Sequence, residues 1–256
     1  MITSTQNPKL KLARSLMGRP KERHEAQAFV VEGVRLVEEA LDSAWPIQFV
    51  LCTSGLSERG IELVTKLRTK NIDVEDVNEA IFQSVSVTET SQGLLAVLNY
   101  SLLPIPPSLD FVLIPDSIRD PGNLGTLLRT AAAAGVQAVF LPPETTDAFA
   151  PKVVRAGMGA HFRLPIHSLT WEEIRTATRS LKVYLADMQG SPCWQADFRL
   201  PLALIVGGEA EGATEPALKL ADMTVSIPMP GKAESLNAGV AGAILLFEVV
   251  RQRQFR

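Results

Sequence analysis

Cysteine is nearly missing from this chain: 256 residues contain two, Cys52 and Cys193. They stand far apart and outside any metal-type spacing, so neither a disulfide framework nor a thiolate metal site is expected. The three histidines, His24, His161 and His167, form no HExxH or comparable ligand pair, which leaves no metal centre to assign. A bilayer-length apolar run is missing too. The longest candidate, Leu236 to Val250, is too short to span and carries Glu248. The opening MITSTQNPKLKLARSL has no apolar core followed by a small-residue cleavage site. No secretory signal is therefore expected, and the reduced cytoplasm is the expected compartment. Excess positive charge is the last absence. A formal net charge of -3 does not suggest a nucleic-acid binder, although phosphates need only a local basic patch.

What is present reads as a globular α/β enzyme, since 46% of residues are hydrophobic and 21% charged, on a chain long enough for one or two domains. Regular structure breaks at YSLLPIPPSLD, Tyr100 to Asp110, which packs three prolines into four residues. We read residues 1–99 as one domain, 100–109 as a proline-rich linker and 110–256 as a second domain. In the first, Glu25 to Leu41 has near-helical apolar spacing, Phe49 to Cys52 is strand-like, Ile61 to Leu67 helical and Leu94 to Leu98 a short strand. After the linker, apolar strands are expected at Phe111 to Ile114, Ala138 to Leu141, Val183 to Ala186, Leu202 to Val206 and Val225 to Ile227. Helices are expected between them, at Leu124 to Ala134, Pro151 to Gly157, Trp171 to Ser180 and Glu215 to Leu220. Continuous apolar strands separated by helices imply a mostly parallel sheet covered on both faces, with ligands beyond the strands' C-terminal ends.

Three polar loops follow three of those strands. The first, DSIRDPGNLGTLLR, is a turn in which Asn123 can cap a helix beginning at Leu124, with Arg129 further along. It reads either as a capped helix with a surface arginine or as a helix N-terminus and guanidinium aimed at a phosphate. The second, Val206 to Gly212, puts glycines and Glu209 at the end of a strand, without the spacing of a dinucleotide-binding GxGxxG or the lysine of a P-loop. The third, IPMPGKAESLNAGVAGAILLFEVV, passes from a strand through Ser235 and Asn237, both good N-cap residues, into a helix start of alanines and glycines. So little bulk serves tight packing, or lets a backbone or flat ligand approach closely. Ser235 is not in a GxSxG elbow, which sets a serine hydrolase aside. A basic run, Lys9, Lys11, Arg14, Arg19, Lys21 and Arg23, falls within fifteen residues; it is either the solvated face of a helix or a phosphate-binding patch.

The segments NLGTLLRTAAAAGV, GGEAEG and IPMPGKAESLNAGVAGAILLFE resemble, in order and spacing, the three signature motifs of the SpoU (TrmH-type) RNA 2′-O-ribose methyltransferases of the SPOUT class. PKVVRAGMGAHFRLPI is similar to the family's spacer. TSTQNPKLK, FVVEGVRLVEEAL and VSVTETSQGLLAVL resemble the ribosomal-protein-like substrate-binding domain often fused to it. The resemblance implies a sheet whose last segment threads a deep trefoil knot, S-adenosylmethionine as cofactor, and a homodimer with the terminal helix in its interface. It implies cofactor contacts at Gly207, Ile227 and Leu236, and a reaction centre of Asn123, Arg129, Glu209, Ser235 and Asn237. RNA contacts are expected at Lys9, Lys11, Arg14 and Arg155, with neither metal nor membrane involved. Family association favours large-subunit ribosomal RNA over transfer RNA. Arg129 would activate the ribose hydroxyl or clamp a phosphate. Gly208 departs from the commonest second motif, which has asparagine before the glutamate. Two rival readings are a non-catalytic RNA-binding dimer of the same fold and a nicotinamide oxidoreductase; the missing GxGxxG disfavours the second.

Overall fold

The computed structural model describes residues 1–88, 90–208, 212–231 and 234–254. Its contacts divide the chain into two compact units, Met1–Ser101 with Phe149–Phe162, and Leu102–Ala148 with Arg163–Arg256.

The first unit contains α1 (Pro8–Met17), α2 (Pro20–Ala26), β1 (Ala28–Glu32), α3 (Val34–Asp42), β2 (Ile47–Cys52), α4 (Glu58–Thr69), β3 (Val74–Asp76), α5 (Glu79–Phe82) and β4 (Leu94–Asn99). Its sheet runs β1-β4-β2-β3, with β4 antiparallel to both neighbours and β3 parallel to β2. Leu10, Ala13 and Leu16 recur at helical spacing on α1 and bury against Val30, Leu51 and Val97 of the sheet. The helix expected from Glu25 to Leu41 is instead a strand between two helices. Gln27 takes a left-handed φ of 46° that ends α2, and Gly33, at φ 102°, reverses the chain before α3. Between them the apolar, partly β-branched run Ala28-Phe29-Val30-Val31 pairs with β4 over its whole length. A short apolar run satisfies both periods, and pairing decides between them.

The later segment 149–162, holding α7 (Pro151–Gly157), belongs to this unit because of its aromatics. Phe149 lies 4.5 Å from the ring of Tyr100 and 4.9 Å from Phe29, and Phe162 lies 5.2 Å from Trp45.

The second unit holds β5 (Phe111–Asp116), α6 (Pro121–Ala134), β6 (Ala138–Leu141), β7 (Ile166–Ser168), α8 (Trp171–Ala177), β8 (Lys182–Pro192), β9 (Leu202–Gly207), α9 (Glu215–Leu220), β10 (Met223–Ser226) and α10 (Ala238–Gln254). These strands form one six-stranded sheet, β10-β8-β9-β5-β6-β7, with every pairing parallel. The expected α/β class and parallel sheet are what the structure has. β5 and β6 are buried along their whole lengths, as a sheet covered on both faces requires. On one face Ile114, Phe140, Leu185 and Ile205 pack with Ile174 of α8 and Ala217 of α9.

Two glycines let α10 lie close against α6. A Cβ on Gly239 would stand 3.3 Å from the Thr126 side chain, and one on Gly242 only 2.2 Å from Cδ2 of the buried Leu127. The small-residue helix start therefore serves a close helix crossing.

The chain order of the sheet places the ligand end. β5 leads outward through β6 to β7, whereas β9 returns to β5's other side, so the order reverses at the β5–β9 boundary. In open parallel sheets the crevice for a ligand opens beyond the C-terminal ends of such strands.

Candidate active site

A cavity of about 640 Å³ opens beyond the C-terminal ends of β8, β9 and β10, to one side of that boundary, a size suited to a cofactor-sized ligand. Four pieces of chain line it: Ala186–Gln189 of β8, the end of β9 with Gly212 and Ala213, the exit from β10 through Ile227 and Met229, and Ser235–Ala238 leading into α10. The first of these was not anticipated, because β8 was expected to end at Ala186. β10 pairs Thr224 with Leu185 and then Val225 with Ser191, so the intervening residues of β8 leave the ladder and bulge toward the cavity. Gly190 closes the bulge. A Cβ there would lie 2.6 Å from the carbonyl carbon of Thr224 and 2.6 Å from the nitrogen of Val225. Ser226 Oγ donates to the Gly190 carbonyl at 2.8 Å, locking the two strands at this crossing. A glycine following Asp187-Met188-Gln189 after a strand was the available signal.

The expected cofactor contacts Gly207, Ile227 and Leu236 all line this cavity, as do Ser235 and Asn237. Asn237 is the N-cap of α10: its Oδ1 accepts from Val240 N at 3.2 Å. That bond fixes which end of the amide is nitrogen, and Nδ2 donates to Asn123 Oδ1 at 2.9 Å. Two residues far apart in sequence are so joined at the facing starts of α6 and α10. Asn123 does not cap α6, contrary to expectation. Pro121 at the first helical position holds Asp120 extended, the helix starts earlier, and Asp120 accepts from Asn123 N at 2.8 Å. The Asn123 side chain is thereby left to meet Asn237.

Arg129 sits exposed on α6 and is not among the residues lining the cavity. Among the described residues no ion pair or hydrogen bond engages its guanidinium. Glu209 lies outside the described residues.

Sequence reading also missed Asp116, fully buried at the end of β5. It accepts from Thr214 N at 2.7 Å and from Thr214 Oγ1 at 3.1 Å, tying the start of α9 to the sheet. Burial pushes its carboxyl above the usual range, against the lowering effect of the Thr214 bonds. The neighbouring Gly208 has a steric reason: a Cβ would lie 2.8 Å from the Ser117 carbonyl oxygen. An asparagine at this position would need the end of β5 to shift.

The basic run is less uniform than its sequence. Lys9 is ion-paired with Asp73 at 2.5 Å and Glu75 at 2.8 Å. Burial acts to lower its ammonium, but the two carboxylates outweigh that and hold it above its ordinary value. Arg23 is not on the patch at all. It is buried at 1% exposure, and its Nη1 donates to the carbonyls of Leu16 and Gly18 at the end of α1. Lys11 and Arg14 are exposed, Arg14 reaching Ser84 Oγ at 3.0 Å. Arg155 is exposed on α7 and shares a small cleft with Met17 at the end of α1. Among the described residues no cluster of His, Cys, Asp or Glu could hold a metal ion, and no helix is long and apolar enough to cross a membrane.

A buried parallel sheet with a cofactor-sized cavity beyond its strand ends, walled by backbone, small side chains and Asn237, which bonds Asn123, is the arrangement of an α/β cofactor-binding enzyme. Comparison with known proteins makes that specific. Residues 110–247 match the SpoU rRNA methylase family, and residues 7–96 match the MRM3-like substrate binding domain. The 23S rRNA (guanosine(2553)-2′-O)-methyltransferase RlmP of Bacillus subtilis is 36% identical over 251 residues, covering 97% of this chain and 98% of that protein. The 23S rRNA (uridine(2479)-2′-O)-methyltransferase of Streptomyces viridochromogenes is 32% identical over 98% of this chain and 92% of its own. The crystal structure of the SpoU methyltransferase AviRb from the same organism, in complex with AdoMet, superposes with a TM-score of 0.88 at 30% identity, covering 97% of this chain and 98% of that one. This chain belongs to the SpoU rRNA methylase family, and it is an RNA methyltransferase.

Proposed function

We propose that this enzyme moves the methyl group of S-adenosylmethionine to a ribose 2′-hydroxyl of large-subunit ribosomal RNA. The observation that carries the reading is the cavity itself, in which Gly207, Ile227, Leu236, Ser235 and Asn237 meet from separate loops. The residues fit that cofactor. Bare backbone at Gly207, Gly208 and Gly212 suits a flat base, and the volume admits a nucleoside with its amino-acid arm. When bound, the cofactor supplies a methyl group already activated by sulfonium charge, so the protein's task is orientation and removal of one proton.

In this reading Gly207, Ile227 and Leu236 hold the cofactor, while the Asn123–Asn237 pair and Ser235 order the loop beside it. A guanidinium is a poor base, so the ribose proton leaves to water rather than to Arg129. That guanidinium clamps an RNA phosphate and stabilises charge developing on the ribose oxygen. Glu209 takes part in the same centre. Lys11, Arg14 and Arg155 of the first unit contact RNA phosphates, whereas Lys9 has its charge engaged by Asp73 and Glu75. Large-subunit RNA is favoured over transfer RNA because the residues 7–96 match is to a substrate-binding domain and the 23S relatives cover nearly the whole chain.

The working form is a homodimer. Val240 and Phe247, seven residues apart on one face of α10, are 47% and 49% exposed, a patch that a second copy would cover. Arg129, outside its own chain's cavity, would then serve the neighbouring one. The cytoplasm is the compartment that fits this assignment, and a knot threaded by the last segment of the sheet is the expected topology.

The test is methyl transfer from labelled S-adenosylmethionine to RNA from cells lacking the gene, with the product mapped by alkaline-resistant linkages. Label confined to one ribose of 23S RNA is expected; label on a base, or on transfer RNA alone, overturns the reading. Arg129→Ala is expected to keep cofactor affinity and lose turnover by roughly a hundredfold or more. Near-normal methylation would remove Arg129 from the mechanism.

A further inference from the structure

Among the described residues lining the cavity, one carries a formal charge: Asp187, on the bulge of β8. The rest of the lining is backbone, aliphatic side chains, methionine and neutral polar groups. Asp187 is half-buried, and Oδ1 accepts from Gln189 N at 2.7 Å, closing an Asx turn that shapes the bulge. No described lysine or arginine forms an ion pair with it.

A carboxylate that no described cation pairs with, in the cleft of an RNA enzyme, is costly twice over. It is partly desolvated, and it repels the phosphates of a polyanionic substrate. The Asx turn does not require the charge, because an asparagine would accept from Gln189 N equally well. A negative charge on this wall is useful where the cavity's occupant is a cation.

We propose that Asp187 is a cofactor-specificity residue: its carboxylate supplies the negative charge that recognises the cationic methionine arm of S-adenosylmethionine. The inference rests on the methyltransferase reading above. Two positive groups on that arm share this chemistry, the sulfonium and the α-ammonium. If the sulfonium is the partner, the residue also helps release the product, because S-adenosylhomocysteine has lost that charge. If the ammonium is the partner, substrate and product are held alike.

Titration calorimetry on the full-length protein separates these. Asp187→Asn removes the charge and keeps the turn, while Asp187→Ala removes both. For Asp187→Asn, S-adenosylmethionine affinity is expected to fall about tenfold. Affinity for 5′-methylthioadenosine, which is neutral and lacks the amino-acid arm, is expected to change less than about twofold. S-adenosylhomocysteine weakening alongside S-adenosylmethionine assigns the ammonium; its affinity staying constant assigns the sulfonium. Raising salt should weaken S-adenosylmethionine binding to the wild type more than to Asp187→Asn. The proposal is overturned if Asp187→Asn binds S-adenosylmethionine like the wild type while Asp187→Ala does not, since the turn alone then matters. It is equally overturned if 5′-methylthioadenosine is weakened as much as S-adenosylmethionine. A wild type that binds 5′-methylthioadenosine and S-adenosylmethionine equally also overturns it. A wild type that binds none of the three instead defeats the methyltransferase reading on which the proposal stands.

Discussion

Replacing Gly190 with alanine should open the cofactor cavity from its strand side. The added carbon would stand 2.6 Å from Thr224 C, 2.6 Å from Val225 N and 2.7 Å from Val225 C. Carbon atoms rest at about 3.5–4.0 Å, so β10 has to retreat by roughly 1 Å. The atoms in the way are backbone, which no rotamer change can move. That retreat carries the Ser226 Oγ to Gly190 O bond from 2.8 Å beyond the roughly 3.0 Å limit of a normal hydroxyl bond. Overpacking of this kind costs about 1–3 kcal/mol. Loss of the hydroxyl bond and a weakened strand end add about 1 kcal/mol each, giving roughly 3–5 kcal/mol in all. Against an overall stability of about 5–15 kcal/mol that is a large loss.

The assay is urea unfolding followed by far-ultraviolet dichroism, with S-adenosylmethionine affinity measured in parallel. Gly231→Ala is the control, because no atom of the described residues lies within 4 Å of a Cβ there. A midpoint for Gly190→Ala indistinguishable from that of Gly231→Ala would refute the reasoning. So would unchanged cofactor affinity, since the residues displaced form one wall of the cavity.

Asn237→Ala removes the α10 cap and the bond to Asn123, at a cost of about 1–2 kcal/mol; Asn237→Asp keeps an acceptor for Val240 N and should recover most of it in the same unfolding assay. Asp116→Asn tests the buried carboxyl through pH. Burial raises the folded value above the unfolded one, so the stabilising contribution of wild-type Asp116 is fully present below the unfolded value and is lost as pH rises through the folded value. The stability of Asp116→Asn relative to wild type should therefore improve as pH rises from the ordinary carboxylate range, about 4, toward neutrality. A difference flat with pH would show that the Thr214 bonds cancel burial, and one of opposite slope that they outweigh it; either refutes the expectation.

The contrast between what was and was not readable in the chain follows the range of the forces involved. β5, β6 and β9 were legible because a strand buried on both faces must be apolar throughout, and the helices between them could not be strands of the same sheet. α7 and α9 were legible in their bounds because Pro151 and Pro216 mark first-turn positions. The helix wrongly expected over β1 failed where periodicity is mute: Ala28 to Val31 fits either period, and only pairing with β4, some seventy residues away, decides it. Asn123 was placed one role away from its real one because a proline two residues earlier changes where a helix begins.

The site divides along the same line. Ser235 and Asn237 were readable as capping residues, since capping is a local demand written as serine and asparagine, whereas Gly207, Ile227 and Leu236 were named only through the resemblance to the SpoU motifs. The bulge of β8 was not readable, because it exists only through the register at which β10 pairs, jumping from Leu185 to Ser191. A register shift leaves no residue type behind except the glycine that the crossing backbone forces on position 190. Asp187 shares that obscurity: in sequence it is one more aspartate after a strand, and only the bulge turns it toward a cavity with no other described charge. Residues placed by another strand's register are therefore where this enzyme can differ from relatives that share its three motifs, since changing them leaves every motif intact.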